Sequence, residues 1–314
     1  MRRYVLRRLL FAVPTILGVV LIVFFAIHII PGDPAVAMLG ATATQEEIEQ
    51  FRQDLGLDRP LIVQLGIMVK EYARGNLGTS IRTRKPVVEE IVLRYPYTAQ
   101  LAVAGLFIAT VFGVILGVAA AIRQNSWLDV LVLSISTAGI AAPGFWLGLL
   151  LSIVFAVNLG WFPTVGGGSP GDWISQLRAV VLPAVTLGIG GAAFIARMTR
   201  SSMLDVLKED YIRTARAKGV GQWVVLFRHA LKNAAIPTVT IIGFYFGLFL
   251  GGTVIIETVF ARPGLGKLLV DALFTRDYPI IQGVTLILAI SFVLVNLLTD
   301  LIYIVLDPRI RQAE

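Results

Sequence analysis

Apolar and polar positions do not alternate regularly along this chain. The apolar residues gather in long runs, and the runs predict the elements. A helix needs about 20 apolar residues to cross a hydrocarbon core of ~30 Å. Five windows are of this kind: 9–30, 99–122, 179–196, 236–260 and 280–306. A sixth, 128–157, carries Pro143-Gly144 near its middle. Proline removes a helical hydrogen bond and clashes with the preceding turn, so this window predicts one long broken helix or two short ones.

The stretch 31–98 has a different texture. Thr44-Gln45-Glu46-Glu47 has capping-box spacing, in which Thr44 caps a helix and Glu47 reaches back. Gly56 can end that helix, and Pro60 suits a first helical position for a run to about Arg74. Pro86 can open a further short helix before Tyr95-Pro96. The expectation is a folded extramembrane loop that can receive a partner or cover the helix ends.

Composition changes the picture in one direction. The 314 residues are 56% hydrophobic and 15% charged, with mean hydropathy +0.80. Soluble domains carry about 25% charged residues, so lipid is the expected solvent. The net charge is +7, and its distribution orients the chain. Segment 197–235 holds eight Lys/Arg against three Asp/Glu, and Arg2, Arg3, Arg7 and Arg8 open the chain. Both belong on the cytoplasmic side by the positive-inside rule. An even number of crossings must separate them, which gives six membrane helices with both termini (1–8 and 307–314) inside. The outward loops are then 31–98, 158–178 and 261–279; the first has eight basic and nine acidic residues, but long segments cross regardless of charge. A cleaved leader is disfavoured, because the candidate site Ala41-Thr42-Ala43 lies far beyond the first apolar run.

Candidate chemistry is sparse. The sequence has no Cys and two His, His28 and His229, so no metal site, thiolate chemistry or cofactor is expected. Asp300 is the clear intramembrane carboxylate, and such a residue is a functional candidate or the partner of a basic residue at the inner interface. Glu257 is expected near the outer end of its span, within reach of water. No relay of Asp, Glu or His is assembled for proton-driven transport. No inverted repeat of the secondary-carrier kind pairs the two halves, and six helices are few for a complete carrier. Small residues recur every fourth position at Gly105, Ala109, Gly113, Gly117 and Ala121, and again at Gly243, Gly247 and Gly251. This spacing lets helix backbones approach closely, within the chain or across a subunit interface or path.

The cytoplasmic segment is longer than a simple helix connection. Tyr211–Lys218 reads as a short helix with Thr214, Ala215 and Ala217 among basic residues, stopped by Gly219. A second helix is predicted from about Gln222 to Ala234, with Trp223, Phe227 and Leu231 on one ridge. The pair can dock a partner or rest on anionic lipid. Nucleic acid is not an expected partner, since the basic residues hug membrane ends. Gly264-Leu265-Gly266-Lys267 is not a phosphate loop, because Ala261 and Leu268 occupy positions that need Gly and Ser/Thr.

The residues themselves also carry a resemblance. Glu209-Asp210-Tyr211-Ile212-Arg213-Thr214-Ala215-Arg216-Ala217-Lys218-Gly219 and His229-Ala230-Leu231-Lys232-Asn233-Ala234-Ala235-Ile236-Pro237 resemble the coupling loop of the permease subunits of binding-protein-dependent ABC importers. Arg213-Thr214-Ala215 stands where the general loop has Glu-Ala-Ala, a departure typical of the dipeptide/oligopeptide/nickel branch. Tyr4-Val5-Leu6-Arg7-Arg8-Leu9-Leu10, Ile30-Pro31-Gly32-Asp33-Pro34, Leu55-Gly56-Leu57-Asp58, Gly75-Asn76-Leu77-Gly78-Thr79-Ser80, Pro263-Gly264-Leu265-Gly266 and Arg276-Asp277-Tyr278-Pro279 extend the match over nearly the whole chain. Gly160-Trp161-Phe162-Pro163-Thr164-Val165-Gly166 is similar to glutathione permeases.

The resemblance implies an all-α membrane protein with the type I ABC-importer transmembrane fold, in a bacterial or archaeal plasma membrane. It implies a second permease subunit, two ATPase subunits and an extracytoplasmic substrate-binding protein. Glu209, Asp210, Tyr211, Thr214, Ala215, Ala217, Lys218 and Gly219 would then couple to the ATPase. The cargo would be small peptides or glutathione, with nickel as the alternative. An autonomous secondary transporter and a membrane anchor or assembly protein are the competing readings.

Overall fold

The protein is described from a computed structural model, covering residues 2–29, 36, 44–54, 56, 58–169 and 171–306. Expectations for 30–34, 41–43, 55, 57 and 307–314 lie outside these residues. Among the described residues the structure is helical, with one isolated bridge between Thr79 and Pro86. The chain divides into two compact units, Met1–Pro96 with Gly264–Ser291 and Tyr97–Pro263 with Phe292–Glu314.

The first unit opens with α1, Arg2–Ile29, whose apolar stretch Leu10–Ala26 is short for a span. Helix α2, Gln45–Asp54, starts on a reciprocal cap. The Thr44 N–H donates to Glu47 Oε2 at 2.8 Å, and the Glu47 N–H donates to Thr44 Oγ1 at 3.3 Å. Those bonds from the Thr44 backbone and hydroxyl hold the Glu47 carboxyl below its ordinary range. Gly56 follows at φ +65°. Helix α3, Leu61–Ala73, begins after Pro60 as its N-cap, one position earlier in the cap than the sequence suggested.

Helix α4, Val87–Ile122, begins after Pro86 and continues through Pro96. The expected short helix ending at Tyr95-Pro96 is therefore corrected to one long helix. Proline forfeits a single bond, and the helical bonds and buried side chains on either side carry the chain through. Helix α10, Leu265–Thr275, ends on Arg276 in a left-handed conformation, and α11 runs from Tyr278 to Leu306.

Val20, Val87, Ile91, Leu265, Ile280 and Val284 are among the residues forming the core of this unit. A Cβ on Gly283 would lie 2.6 Å from Val87 Cγ1, so the glycine permits this close approach. Asp277 joins segments distant in sequence. Its carboxylate accepts the Ser80 hydroxyl at 2.5 Å, the Ile81 and Arg82 N–H groups at 3.3 Å, and the Ile280 N–H at 3.5 Å. Tyr72 donates its hydroxyl to Gln282 Oε1 at 3.0 Å.

The second unit holds α5, Trp127–Ala141, and α6, Gly144–Asn158, bent by 105° at Pro143. The last residues of α6, Ser152–Asn158, widen into a π-helix. Helix α7, Trp173–Leu207, is capped by Asp172, which accepts the Ile174 and Ser175 N–H groups. Helix α8 is Asp210–Ala217. Helix α9, Gln222–Val259, contains a π-turn at Val225–Ala230. The predicted separate helix from Gln222 to Ala234 is thus the first part of a longer one. No residue between Ala230 and Pro237 interrupts the hydrogen-bond ladder.

Among the described residues, helices α4, α7, α9 and α11 are long and apolar enough to cross a membrane, and the bent pair α5–α6 makes five if counted as one span. Their packing uses glycine where backbones meet. A Cβ on Gly105 would lie 2.9 Å from Leu187 Cδ2, on Gly113 2.7 Å from Ile195, and on Gly117 2.5 Å from the Ala196 carbonyl oxygen. The α4 ridge therefore faces α7. On α9, Gly243 meets Thr299 and Gly247 meets Phe292. Gly251 departs from the expected ridge, since a Cβ there meets nothing within 4 Å and the residue is exposed. The contacts of this ridge with α11 stop at Gly247.

Candidate functional site

The short helix α8 is built to be exposed yet rigid. Glu209 holds its N-cap position with extended backbone, and its carbonyl accepts the Ile212 and Arg213 N–H groups at 3.1 and 3.3 Å. Asp210 stands in the first turn and Arg216 in the last, each matching the helix dipole. Asp210 lies 3.5 Å from Arg213, but both side chains are largely exposed, so this ion pair adds little.

The rigidity comes from below. Ile212 is fully buried in a cluster with Val118, Ala121, Met203, Val225 and Leu226, against which Ala215 and Val220 also pack. Burying one isoleucine contributes about 1.5–3 kcal/mol. Tyr211 accepts a hydrogen bond from Asn233 Nδ2 at 2.7 Å, tying α8 to α9.

The end of α8 is a complete Schellman motif. The Gly219 N–H donates to the Arg216 carbonyl at 2.9 Å and the Val220 N–H to the Ala215 carbonyl at 3.2 Å. Gly219 takes φ +76°, and a Cβ there meets nothing within 4 Å. Glycine is required for its backbone conformation, not for space.

The sequence-predicted coupling residues divide on this frame. Glu209, Asp210, Tyr211, Thr214, Ala217, Lys218 and Gly219 are exposed. Ala215 is half-buried and packs partly against the cluster around Ile212. Beside them Trp223 and Phe227 stack at 5.8 Å and 15°, both largely exposed. The π-turn after Val224 widens the helix here and alters the registry of the predicted ridge.

Three charged groups in this unit are buried, one misread in the sequence and two unread. Glu257, expected to reach water, is fully buried and accepts the Thr98 hydroxyl at 2.6 Å. Arg262 is also fully buried; it donates to Gln100 Oε1 at 2.6 Å and lies 5.4 Å over the Tyr97 ring. Asp129 pairs with Arg200 across 71 positions. The only sequence signal was Ser126-Trp127-Leu128-Asp129, a capping pattern that marks a helix start and says nothing of its partner. Asp300 is half-buried on α11.

A cavity of 440 Å³ opens beside the α5–α6 break, lined by Pro143, Phe145, Thr186, Phe194, Tyr245 and Phe249 among others. Its wall is mostly apolar and aromatic.

The sequence and the fold are similar to those of known proteins. Residues 113–312 match the model of the binding-protein-dependent transport system inner membrane component, and residues 1–102 match its N-terminal companion. The glutathione transport system permease protein GsiC of Salmonella typhimurium is 46% identical over 311 residues, covering 99% of both chains. The dipeptide transport system permease protein DppB of Alkalihalophilus pseudofirmus is 43% identical over 335 residues, covering 99% of this chain and all of the relative. A solved structure of the MetNI methionine ABC transporter, inward facing, matches with TM-score 0.59 and 20% identity over 70% of this chain and 97% of its own. At that identity the likeness concerns the fold alone. This chain belongs to the family of inner-membrane components of binding-protein-dependent transport systems, the permease subunits of ABC importers.

Proposed function

We propose that the chain is one permease of a pair that imports small peptides or glutathione, with α8 as the helix on which an ATPase subunit docks. The observation that carries this reading is α8 itself. It offers an exposed face of Tyr211, Thr214, Ala217 and Lys218 on a frame fixed by Ile212 and the Gly219 stop. Relatives named for glutathione and dipeptide transport support the cargo class.

In this reading ATP is hydrolysed by two separate ATPase subunits. Their closure displaces α8, and the displacement biases a helix bundle with two stable packings. A binding protein on the other side then releases its cargo toward the cavity beside Pro143. The bundle has six crossings, with α1 and the bent pair each counted once, and both termini are cytoplasmic in a bacterial plasma membrane.

Gly219→Arg tests the docking helix. It places a bulky side chain at a position that needs a left-handed backbone. Reconstituted with its partners, this variant is expected to insert normally but to lose ATP-driven uptake. Unchanged uptake and unchanged stimulation of ATP hydrolysis would reject the docking assignment. The cargo is tested by the binding protein that co-purifies: a peptide or glutathione should raise its melting temperature. A rise with nickel alone would overturn the peptide reading.

A further inference from the structure

Asp129 lies in the first turn of α5 and is 2% exposed. Arg200 of α7 grips its carboxylate with both arms of the guanidinium, Nε to Oδ1 at 2.5 Å and Nη2 to Oδ2 at 2.7 Å. The Asn125 N–H adds a third bond to Oδ2 at 2.9 Å. A buried carboxylate is costly unless its oxygens are satisfied, and the two-armed fork does this in one geometry only. The apolar contacts nearby, among Ala120, Val132 and Ala196, are non-directional and tolerate a small slide. The ion pair does not, because sliding α5 along α7 would strand a buried charge.

Its position is as informative as its geometry. Arg200 lies one turn before Met203, which is fully buried in the cluster that seats Ile212 of α8. The far end of α5 is jointed. Ala142 is extended at φ −76°, ψ 130°, Pro143 supplies no N–H, and α6 departs at 105°. A Cβ on Gly144 would meet only Ile256 Cδ1, at 4.0 Å, and Pro143 and Gly144 are both exposed, so little packs against the joint. Helix α5 is thus clamped at one end and hinged at the other.

We propose that Asp129 and Arg200 are a positioning pair that makes α5 follow the coupling segment as one body. Displacement of α8 is thereby delivered to the Pro143-Gly144 joint and to the cavity wall at Phe145. This inference rests on the reading of α8 as the ATPase-docking helix.

The test uses the whole importer, with both permeases, its ATPase subunits and its binding protein, in liposomes. Uptake and ATP hydrolysis are measured together, after recovery of the assembled complex is scored. Arg200→Met is expected to lower uptake per ATP hydrolysed roughly five-fold while hydrolysis persists. Arg200→Lys keeps the charge without the fork and should recover part of the ratio. Asp129→Asn with Arg200→Met leaves no unpaired charge and is expected to assemble well, with a ratio no lower than Arg200→Met alone, since both changes break one tie.

A ratio that stays constant while both activities fall together overturns the proposal, because a structural pair alone would do that. A double variant whose ratio falls clearly below that of Arg200→Met also overturns it. So does failure of the double variant to assemble. Gly219→Arg, run alongside, separates the two readings. If Gly219→Arg changes nothing, the docking assignment fails; if it uncouples while Arg200→Met does not, only the positioning role fails.

Discussion

Gly219 shows how one residue can matter without touching anything. Its φ of +76° is open to glycine and, at modest cost, to asparagine, and the space around it is empty. Gly219→Ala should therefore cost about 1 kcal/mol in local stability, and Gly219→Asn less. Uptake per ATP should fall in the order glycine, asparagine, valine. An asparagine variant that couples worse than valine would show that size, not backbone conformation, is what the position requires. Tyr72 offers a residue-scale reading of pH. Burial pushes its phenol from an ordinary 10.0 up to about 12, because the ionised form is disfavoured away from water. The raised value means that its contribution is complete below pH 10.0 and is lost as pH rises through about 12. The phenolate absorbance difference between the parent and Tyr72→Phe should appear only in that upper range. A difference already half developed near pH 10 would place Tyr72 in water.

At the scale of elements, glycine spacing has two outcomes. On α4, a Cβ at Gly117 would lie 2.5 Å from a backbone oxygen of α7, which cannot rotate away. Gly117→Ala gains about 1 kcal/mol of helix propensity but must push the helices apart, and it should be net destabilising by about 1–2 kcal/mol. Gly251 of α9 faces open space, so Gly251→Ala should be neutral or stabilising by up to about 1 kcal/mol. Melting of the two variants in the same detergent checks the contrast; equal shifts would refute it. The four-residue spacing is visible in the sequence, but which face finds a neighbour is not. The same holds for caps. Thr44 and Glu47 are three positions apart, and their bond is legible because a helix start fixes it locally. Asp277 and Ser80 are 197 positions apart, and no local rule brings Gly78-Thr79-Ser80 to Arg276-Asp277-Tyr278.

For the whole molecule, the absence of Cys makes orientation directly measurable. Single cysteines introduced at Ala217 and at Trp173, both exposed, should react with a membrane-impermeant reagent from opposite sides of the bilayer. Reaction from the same side would mean that α7 does not cross the bilayer; labelling of Ala217 from the cytoplasmic side, opposite to Trp173, supports the parity that places α8 inside. The bent pair decides that parity. Its apolar length reads as one span, whereas a bend of 105° also suits a re-entrant segment, and composition is the same for both.

The sequence by itself determined what local chemistry determines. Apolar runs are membrane helices because lipid leaves no other way to satisfy the backbone. Gly219 stops α8 because its backbone turns left-handed, and Pro143 breaks a helix because it lacks an N–H. Only the tertiary structure decided the rest. It packed Ala215 partly against the Ile212 cluster, buried Glu257 where water was expected, and closed Arg200 on Asp129. Those outcomes depend on which surfaces meet in space. The energy of a buried charge is set by the partner it finds, and a chain does not write that partner beside it.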